Sequence, residues 1–279
     1  MGAAAEREAR RRAGRWETGP GPRLSPARAL HARWLGTVEY GEGLRLQEEL
    51  VRERRAGSIP DQLLLLEHPH VITLGTSAAP DHVLADDVER RLLGISLFRT
   101  GRGGDVTYHG PGQLVGYPIL DLKPDRCDLH RYIRDIEEAL IRALAGFGIT
   151  AGRRPGLTGV WVGDEKIAAI GVRVSSGWIT SHGFALNVDP DLRYFGTIVP
   201  CGIRDYGVTS MARCGVQGLT PRDVAGPVAE RFAEVFDRDV FFESGRDAAA
   251  GRGGPTDAAQ GPGPRAPSSS GGANSKKSR

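Results

Sequence analysis

The sequence predicts one folded domain of interleaved helices and strands, flanked by two segments unsuited to building a core. Three observations predict it. Apolar residues recur at helical spacing in three separate stretches, and "GVWVGDEKIAAIGVRVSSGWITSHGFALNVD" (residues 159–189) alternates with the two-residue period of strands. Residues 245–279 contain no aromatic residue and no Val, Ile or Leu, and residues 1–29 form an Ala/Gly/Pro-rich lead with seven basic residues between Arg7 and Arg28. Neither end buries enough apolar surface to offset the entropy of ordering a chain, so both are expected to be disordered and the domain to span residues 30–244.

In chain order, "EYGEGLRLQEELVRERRAG" places Tyr40, Leu44, Gln47 and Val51 on one helical face and stops at Gly57. "DQLLLLEHPHVITLG" gives two short apolar runs broken at Pro69, which read as strands buried on both faces. The second helix begins at Asp128, a good cap, and carries Leu129, Tyr132, Ile133, Ile136, Leu140 and Leu144 on one stripe up to Gly146. The alternating stretch is punctuated at Gly163-Asp164 and Ser175-Ser176-Gly177, so it predicts a three-stranded antiparallel meander. Pairing Val174 with Ile179 sets Gly171 opposite His182, Ile170 opposite Gly183 and Ala169 opposite Phe184, a patch of small residues beside an imidazole and a phenyl ring. A last helix starts at "TPRD", with Thr220 as cap, Pro221 in the first turn and Val224, Val228, Phe232 and Phe236 inward; Pro227 is its weak point.

Composition excludes several classes of function. The chain has 279 residues, 39% hydrophobic and 25% charged, with a net charge of +3, so nothing marks a nucleic-acid binder. The three cysteines, Cys127, Cys201 and Cys214, form no C-x-x-C pair, which argues against a disulfide framework or a zinc site and for a reducing compartment. No apolar run approaches the ~20 residues that cross a bilayer, so no membrane association is expected. The start "MGAAAE" has Glu6 where myristoylation needs Ser or Thr, and the acidic residues Glu6, Glu8 and Glu17 speak against a mitochondrial leader. A cytoplasmic protein is the expectation.

Chemistry concentrates at few residues. A lone cysteine is more often a buried structural thiol, but Cys201 follows Pro200 and precedes Gly202, a setting for a tight turn that exposes sulfur and frees backbone N–H groups for an oxyanion. A thiol needs a basic partner to become a good nucleophile, and His109, His182 and Lys166 are the candidates. Lys166 opens the apolar strand "IAAIGV", where alternation carries it out of solvent; a partly buried lysine trades protons with a thiol, although most strand lysines face water. "RGGDVTYHGPGQLVGYPILDL" (residues 102–122) is neither a Walker loop nor G-x-G-x-x-G and reads as a glycine-rich turn. Its Gly103, Gly104, Gly110 and Gly112 offer a ligand such as an acyl chain a smooth backbone wall.

Five segments then combine into one pattern. "EHPHVITLG", the 102–122 stretch, "GVWVGDEKIAAIGVRV", "HGFALNVD" and "IVPCGI" follow one another in the order and wording of the lipoyl(octanoyl) transferases of the biotin/lipoate protein ligase superfamily, which the chain resembles from about Leu30 to Phe242. His70 stands where that family often has proline, and Asp105 where it often has glutamine. The resemblance implies an α+β catalytic domain built on a mixed β-sheet with flanking helices on one side. It implies an acyltransferase that moves an octanoyl group from octanoyl-acyl carrier protein to a lysine of lipoyl-carrier domains, those of 2-oxoacid dehydrogenase complexes and the glycine cleavage H protein. By the same resemblance Cys201 is the thioester nucleophile, Lys166 its proton partner, and Arg102, Gly103, Gly104, Asp105, Val106, Thr107, Tyr108, His109, Ala169, Ile170, Gly171, Gly183, Phe184 and Ala185 contact substrate.

Thioester exchange onto a cysteine is near isoenergetic, so no cofactor and no ATP are expected, and a covalent intermediate separates the two carrier encounters. Arg102, Arg153, Arg154 and Arg173 are candidates for steering acidic carriers. The rival readings are an ATP-dependent lipoate or biotin ligase, which needs no thiol, and a non-catalytic carrier-binding module.

Overall fold

A computed structural model of the chain describes residues 29–199 and 206–244. Residues 1–28 and 245–279 of the two expected disordered ends, and Cys201, lie outside the described residues, whereas Ala29, expected in the disordered lead, begins the first strand and pairs with Asp239. No described helix is long and apolar enough to cross a membrane.

The strands are β1 (Ala29–Thr37), β2 (Asp61–Glu67), β3 (Val71–Leu74), β4 (Ser96–Arg99), β5 (Val106–His109), β6 (Gln113–Ile119), β7 (Gly152–Arg154), β8 (Leu157–Val162), β9 (Glu165–Val174), β10 (Thr180–Asn187), β11 (Gly207–Val208) and β12 (Asp239–Ser244). The helices are α1 (Tyr40–Ala56), α2 (Asp87–Leu92), α3 (Leu129–Gly146) and α4 (Pro221–Phe236). Nine of the described strands make one mixed sheet in the order β12-β1-β2-β6-β10-β9-β8-β7, with β11 beside β9. A second sheet has the order β4-β3-β5.

The three helices read from periodicity form as expected, for local reasons. Gly57 closes α1 at φ 72°, a conformation costly for a residue with a side chain. Asp128 accepts from the N–H groups of His130 and Arg131 at the start of α3. Thr220 and Asp223 cap α4 reciprocally, and the helix runs through Pro227. The meander is β8-β9-β10, but its second turn is one residue longer than the reading assumed. Ser175 N–H donates to Ile179 O, and Trp178 sits at φ 62°, so Val174 pairs with Thr180. Every pair shifts by one: Gly183 faces Gly171, Phe184 faces Ile170 and Ala185 faces Ala169. The small-residue patch survives the shift, and His182 faces Val172 instead of Gly171.

Both apolar runs around Pro69 are strands, and they enter different sheets, β2 the large one and β3 the small one. Successive leucines of β2 face opposite ways. Leu63 and Leu65 pack with α3 and α4 around Ile136, Leu140 and Phe232, whereas Leu64 and Leu66 pack with Leu46, Leu50 and Val51 of α1. Helices therefore cover both faces of the large sheet, a correction to the one-sided expectation. The 102–122 stretch is likewise more than a turn: β5 belongs to the small sheet and β6 to the centre of the large one, joined through Gly112 at φ 87°.

Candidate active site

Where the two sheets meet, residues 102–105 bridge them by backbone hydrogen bonds. Gly103 N–H donates to Val172 O of β9 at 2.9 Å, while Thr76 and Ser77 donate to the carbonyls of Arg102 and Gly104 at 2.9 and 3.1 Å. The contact requires glycine at 75, where a Cβ would lie 2.2 Å from Gly104 O, and is tight at Gly171, where one would lie 3.1 Å from Gly103 O.

Beneath this bridge lies a cavity of about 490 Å³, within the usual range of ligand sites. Arg102, Gly103, Gly104, Asp105, Thr107, His109, Lys166, Ala169, Ile170, Gly171, Gly183, Phe184 and Ala185 line it. Val106 and Tyr108 do not. Strand alternation turns them into the small sheet's core with Ile72, Leu74 and Phe195. Gly110 and Gly112 are also elsewhere, against Tyr108 and the Asp189 carbonyl. Phe184 reaches its place because β6 has no side chain beneath it: a Cβ on Gly116 would lie 2.1 Å from Phe184 Cζ.

The sequence reading missed part of the lining. Tyr40 of α1, Leu129 and Ile133 of α3, and Tyr117 of β6 also face the cavity. Leu129 remains 43% exposed, which a core-facing stripe residue would not be.

Lys166 is 8% exposed, as alternation suggested, with Nζ 4.8 Å from the centroid of the Trp161 ring. Gly159 makes room for it, since a Cβ there would lie 3.3 Å from Lys166 Cε and 2.7 Å from Ala168 O. Gly159 is in turn held by α3, its N–H donating at 3.0 Å to Glu137, a fully buried carboxylate that also pairs with Arg134 and Arg153. The described backbone on either side of residues 200–205 is held by hydrogen bonds. Val199 N–H donates to His82 O at 2.8 Å, and Val208 lies beside Lys166 in parallel register.

Arg102 is 7% exposed and bonds Thr73 through Nη2, 2.7 Å from its carbonyl and 2.9 Å from its hydroxyl. Burial pushes His182 down to about 4, with Arg102 and Arg173 adding to the shift; His109 is driven well below its ordinary value by burial, then by His68 and Arg102. Both imidazoles are neutral at pH 7; the His109 ring bonds Gln113 Oε1 at 3.3 Å, whereas Nδ1 of His182 is buried without a partner among the described residues. Burial likewise keeps Tyr117 protonated. His182 also sits at φ 56°, strained for a histidine, with its N–H held 2.7 Å from Gln47 Oε1.

Of the four arginines considered for steering, Arg102 is spent on Thr73 and Arg153 on Glu137 and Glu138. Arg154 pairs with Asp164 and lies 4.3 Å from the centroid of Tyr206. Arg173 is exposed at the rim beside Gly101. Cys127 and Cys214 are free thiols outside the cavity.

The profile of the lipoyl protein ligase A/B catalytic domain matches residues 39–233. An octanoyltransferase of Solibacter usitatus is 54% identical over 211 residues, 76% of this chain and 93% of its own, and one of Rubrobacter xylanophilus is 59% identical over 209 residues, 74% and 94%. The chain belongs to this family, on its octanoyltransferase branch. A solved structure described as a lipoate protein ligase of T. acidophilum shares the family fold at a TM-score of 0.58 and 18% identity, covering 77% of this chain and 88% of that one. The family match includes Lys166, the 102–109 segment and β10, and ends before β12.

Proposed function

We propose that the chain transfers an octanoyl group from octanoyl-acyl carrier protein to a lysine of a lipoyl-carrier domain, through a thioester on Cys201. Octanoyl transfer serves protein lipoylation, and the enzyme is an acyltransferase of that pathway. Relatives at 54% and 59% identity carry the octanoyltransferase name, which disfavours the ligase and the non-catalytic readings. The acceptors are the lipoyl domains of 2-oxoacid dehydrogenase complexes and the glycine cleavage H protein, met in the cytoplasm.

The observation that supports the thioester step is that the chain re-emerges from residues 200–205 directly beside Lys166, Val208 pairing with it in parallel register, while Val199 before them is bonded to His82 O. In the first half-reaction the Cys201 sulfur attacks the thioester carbonyl as its proton passes to Lys166. The carbon–sulfur bond to pantetheine breaks, and Lys166 returns the proton to the leaving sulfur. In the second half the acceptor amine attacks the Cys201 thioester, a carbon–nitrogen bond forms as the carbon–sulfur bond to Cys201 breaks, and one amine proton passes by way of Lys166 to the departing Cys201 sulfur, restoring the thiol. The apolar wall of Ala169, Ile170 and Phe184 suits the acyl chain.

Intact-mass analysis after mixing the protein with octanoyl-acyl carrier protein tests the reading. An octanoyl adduct mapped to Cys201, formed without ATP and discharged by a lipoyl domain, is the expected result. Transfer that needs ATP, or that survives Cys201→Ser at full rate, overturns it.

A further inference from the structure

Asp105 is one of this chain's departures from its family's wording, and its surroundings give it a use other than ligand contact. Its Oδ1 accepts from Val106 N–H at 2.7 Å and Ala79 N–H at 3.3 Å, and its Oδ2 lies 2.5 Å from Nδ1 of His82. A carboxylate accepts, so Nδ1 of His82 is the donor. Both oxygens are thus engaged by the protein, although the residue lines the cavity. His82 is tied on its main-chain side to the other bank of the site: its carbonyl receives Val199 N–H at 2.8 Å, Val83 pairs with Ile198, and Leu84 and Ala85 both donate to Thr197 O. One short path therefore runs from the glycine-rich wall, through a side-chain hydrogen bond, to segment 197–199, where a 3-10 turn ends and a single bridge joins Ile198 to Val83.

We propose that His82 and Asp105 are a pair of positioning residues that hold segment 197–199 in register with the 102–105 wall. The pair sets where the chain stands as it leaves Val199, and so where the next residues begin. Neither side chain touches a reacting atom in this scheme. The inference rests on the octanoyltransferase reading for its kinetic readout, and its chemical readout is independent of that reading.

The test uses the full chain in four variants, His82→Ala, Asp105→Ala, the double variant, and Asp105→Asn, which keeps an acceptor oxygen. Displacement of a reacting group by a fraction of an ångström lowers turnover more than binding, so each alanine variant is expected to lose about tenfold in kcat with KM for octanoyl-acyl carrier protein within about twofold. The double variant is expected to be no slower than either single one, because the two residues act as one unit, and Asp105→Asn to recover most of the loss. The substrate-free readout is the rate of Cys201 alkylation by iodoacetamide, mapped by peptide mass with the exposed Cys127 as internal control. It is expected to change at least about threefold in the alanine variants while that of Cys127 stays constant. Losses that multiply in the double variant, a loss carried by KM alone, or an unchanged Cys201 alkylation rate in well-folded variants each overturn the proposal. A changed alkylation rate in a protein without octanoyltransferase activity leaves the pair standing and removes the functional reading alone.

Discussion

The hydroxyl of Tyr117 lies 2.7 Å from Nε2 of His68, whose Nδ1 lies 2.6 Å from the carbonyl of Val38. The carbonyl can only accept, so Nδ1 of His68 carries the ring proton. Burial holds His68 down to about 4, so at neutral pH Nε2 is bare and must accept from Tyr117. The hydroxyl proton of Tyr117, a residue that lines the cavity, is thereby committed to His68. Tyr117→Phe leaves a buried imidazole nitrogen without a donor, a loss of about 1–3 kcal/mol. Urea unfolding checks it, and an unchanged midpoint would show that the relay contributes nothing.

Acid should unfold the protein earlier than its carboxylates alone require. His68 and His182 are each pulled from 6.5 to about 4 by burial, and His109 moves in the same direction. Below pH 6.5 the unfolded chain binds protons that the folded chain refuses, so stability falls as pH drops from 6.5 toward 4. Each of the first two groups accounts for on the order of 3 kcal/mol across that window. Denaturation midpoints at pH 7, 6 and 5 measure the slope. His68→Gln should flatten it, and a flat profile in the parent protein would contradict the burial argument.

Lys166→Met is expected to fold and to lose about 10²–10⁴ in acyl transfer, the usual share of a general acid–base group. Its support is testable separately. Glu137→Ala removes the fully buried carboxylate that accepts from Gly159 N–H and leaves that buried N–H without its acceptor, at a cost of about 1–3 kcal/mol, while Arg153 keeps Glu138. Thermal melting distinguishes the two, since the lysine variant should keep its midpoint and the glutamate variant should not.

Much of this arrangement is legible in the sequence wherever one local period dominates. α1, α3, α4 and the β8-β9-β10 meander follow from spacing and caps, and the burial of Lys166 follows from strand alternation. What escapes is set by distant partners. β1 and β12 pair in parallel across nearly the whole domain, Ala29 with Asp239 and Trp34 with Ser244, and no local pattern encodes that. Glycines hid β5 and β6, because their main role is close approach between sheets and only secondarily turning. Leu129 and Ile133 looked like core residues because a helix stripe does not reveal whether it ends over a core or over a cavity. The meander register slipped because Trp178, a bulky residue, occupies the left-handed position that sequence reasoning assigns to glycine.

The edge of the large sheet gives a prediction about where the functional chain ends. β12 pairs with β1 through Ser244, and Val240 and Phe242 pack against the main core, whereas residues 245–279 offer no aromatic, Val, Ile or Leu side chain to any core. A chain ending at Ser244 should therefore keep its melting temperature and its transfer rate. One ending at Asp237 loses a strand and two partly buried side chains and exposes the unpaired edge of β1, costing up to about 1.5 kcal/mol for each of those side chains besides the lost pairing. Melting both truncations beside the full chain decides the matter: equal midpoints for the two would place the boundary before β12, and a midpoint below the full chain's for the one ending at Ser244 would give residues 245–279 a structural role.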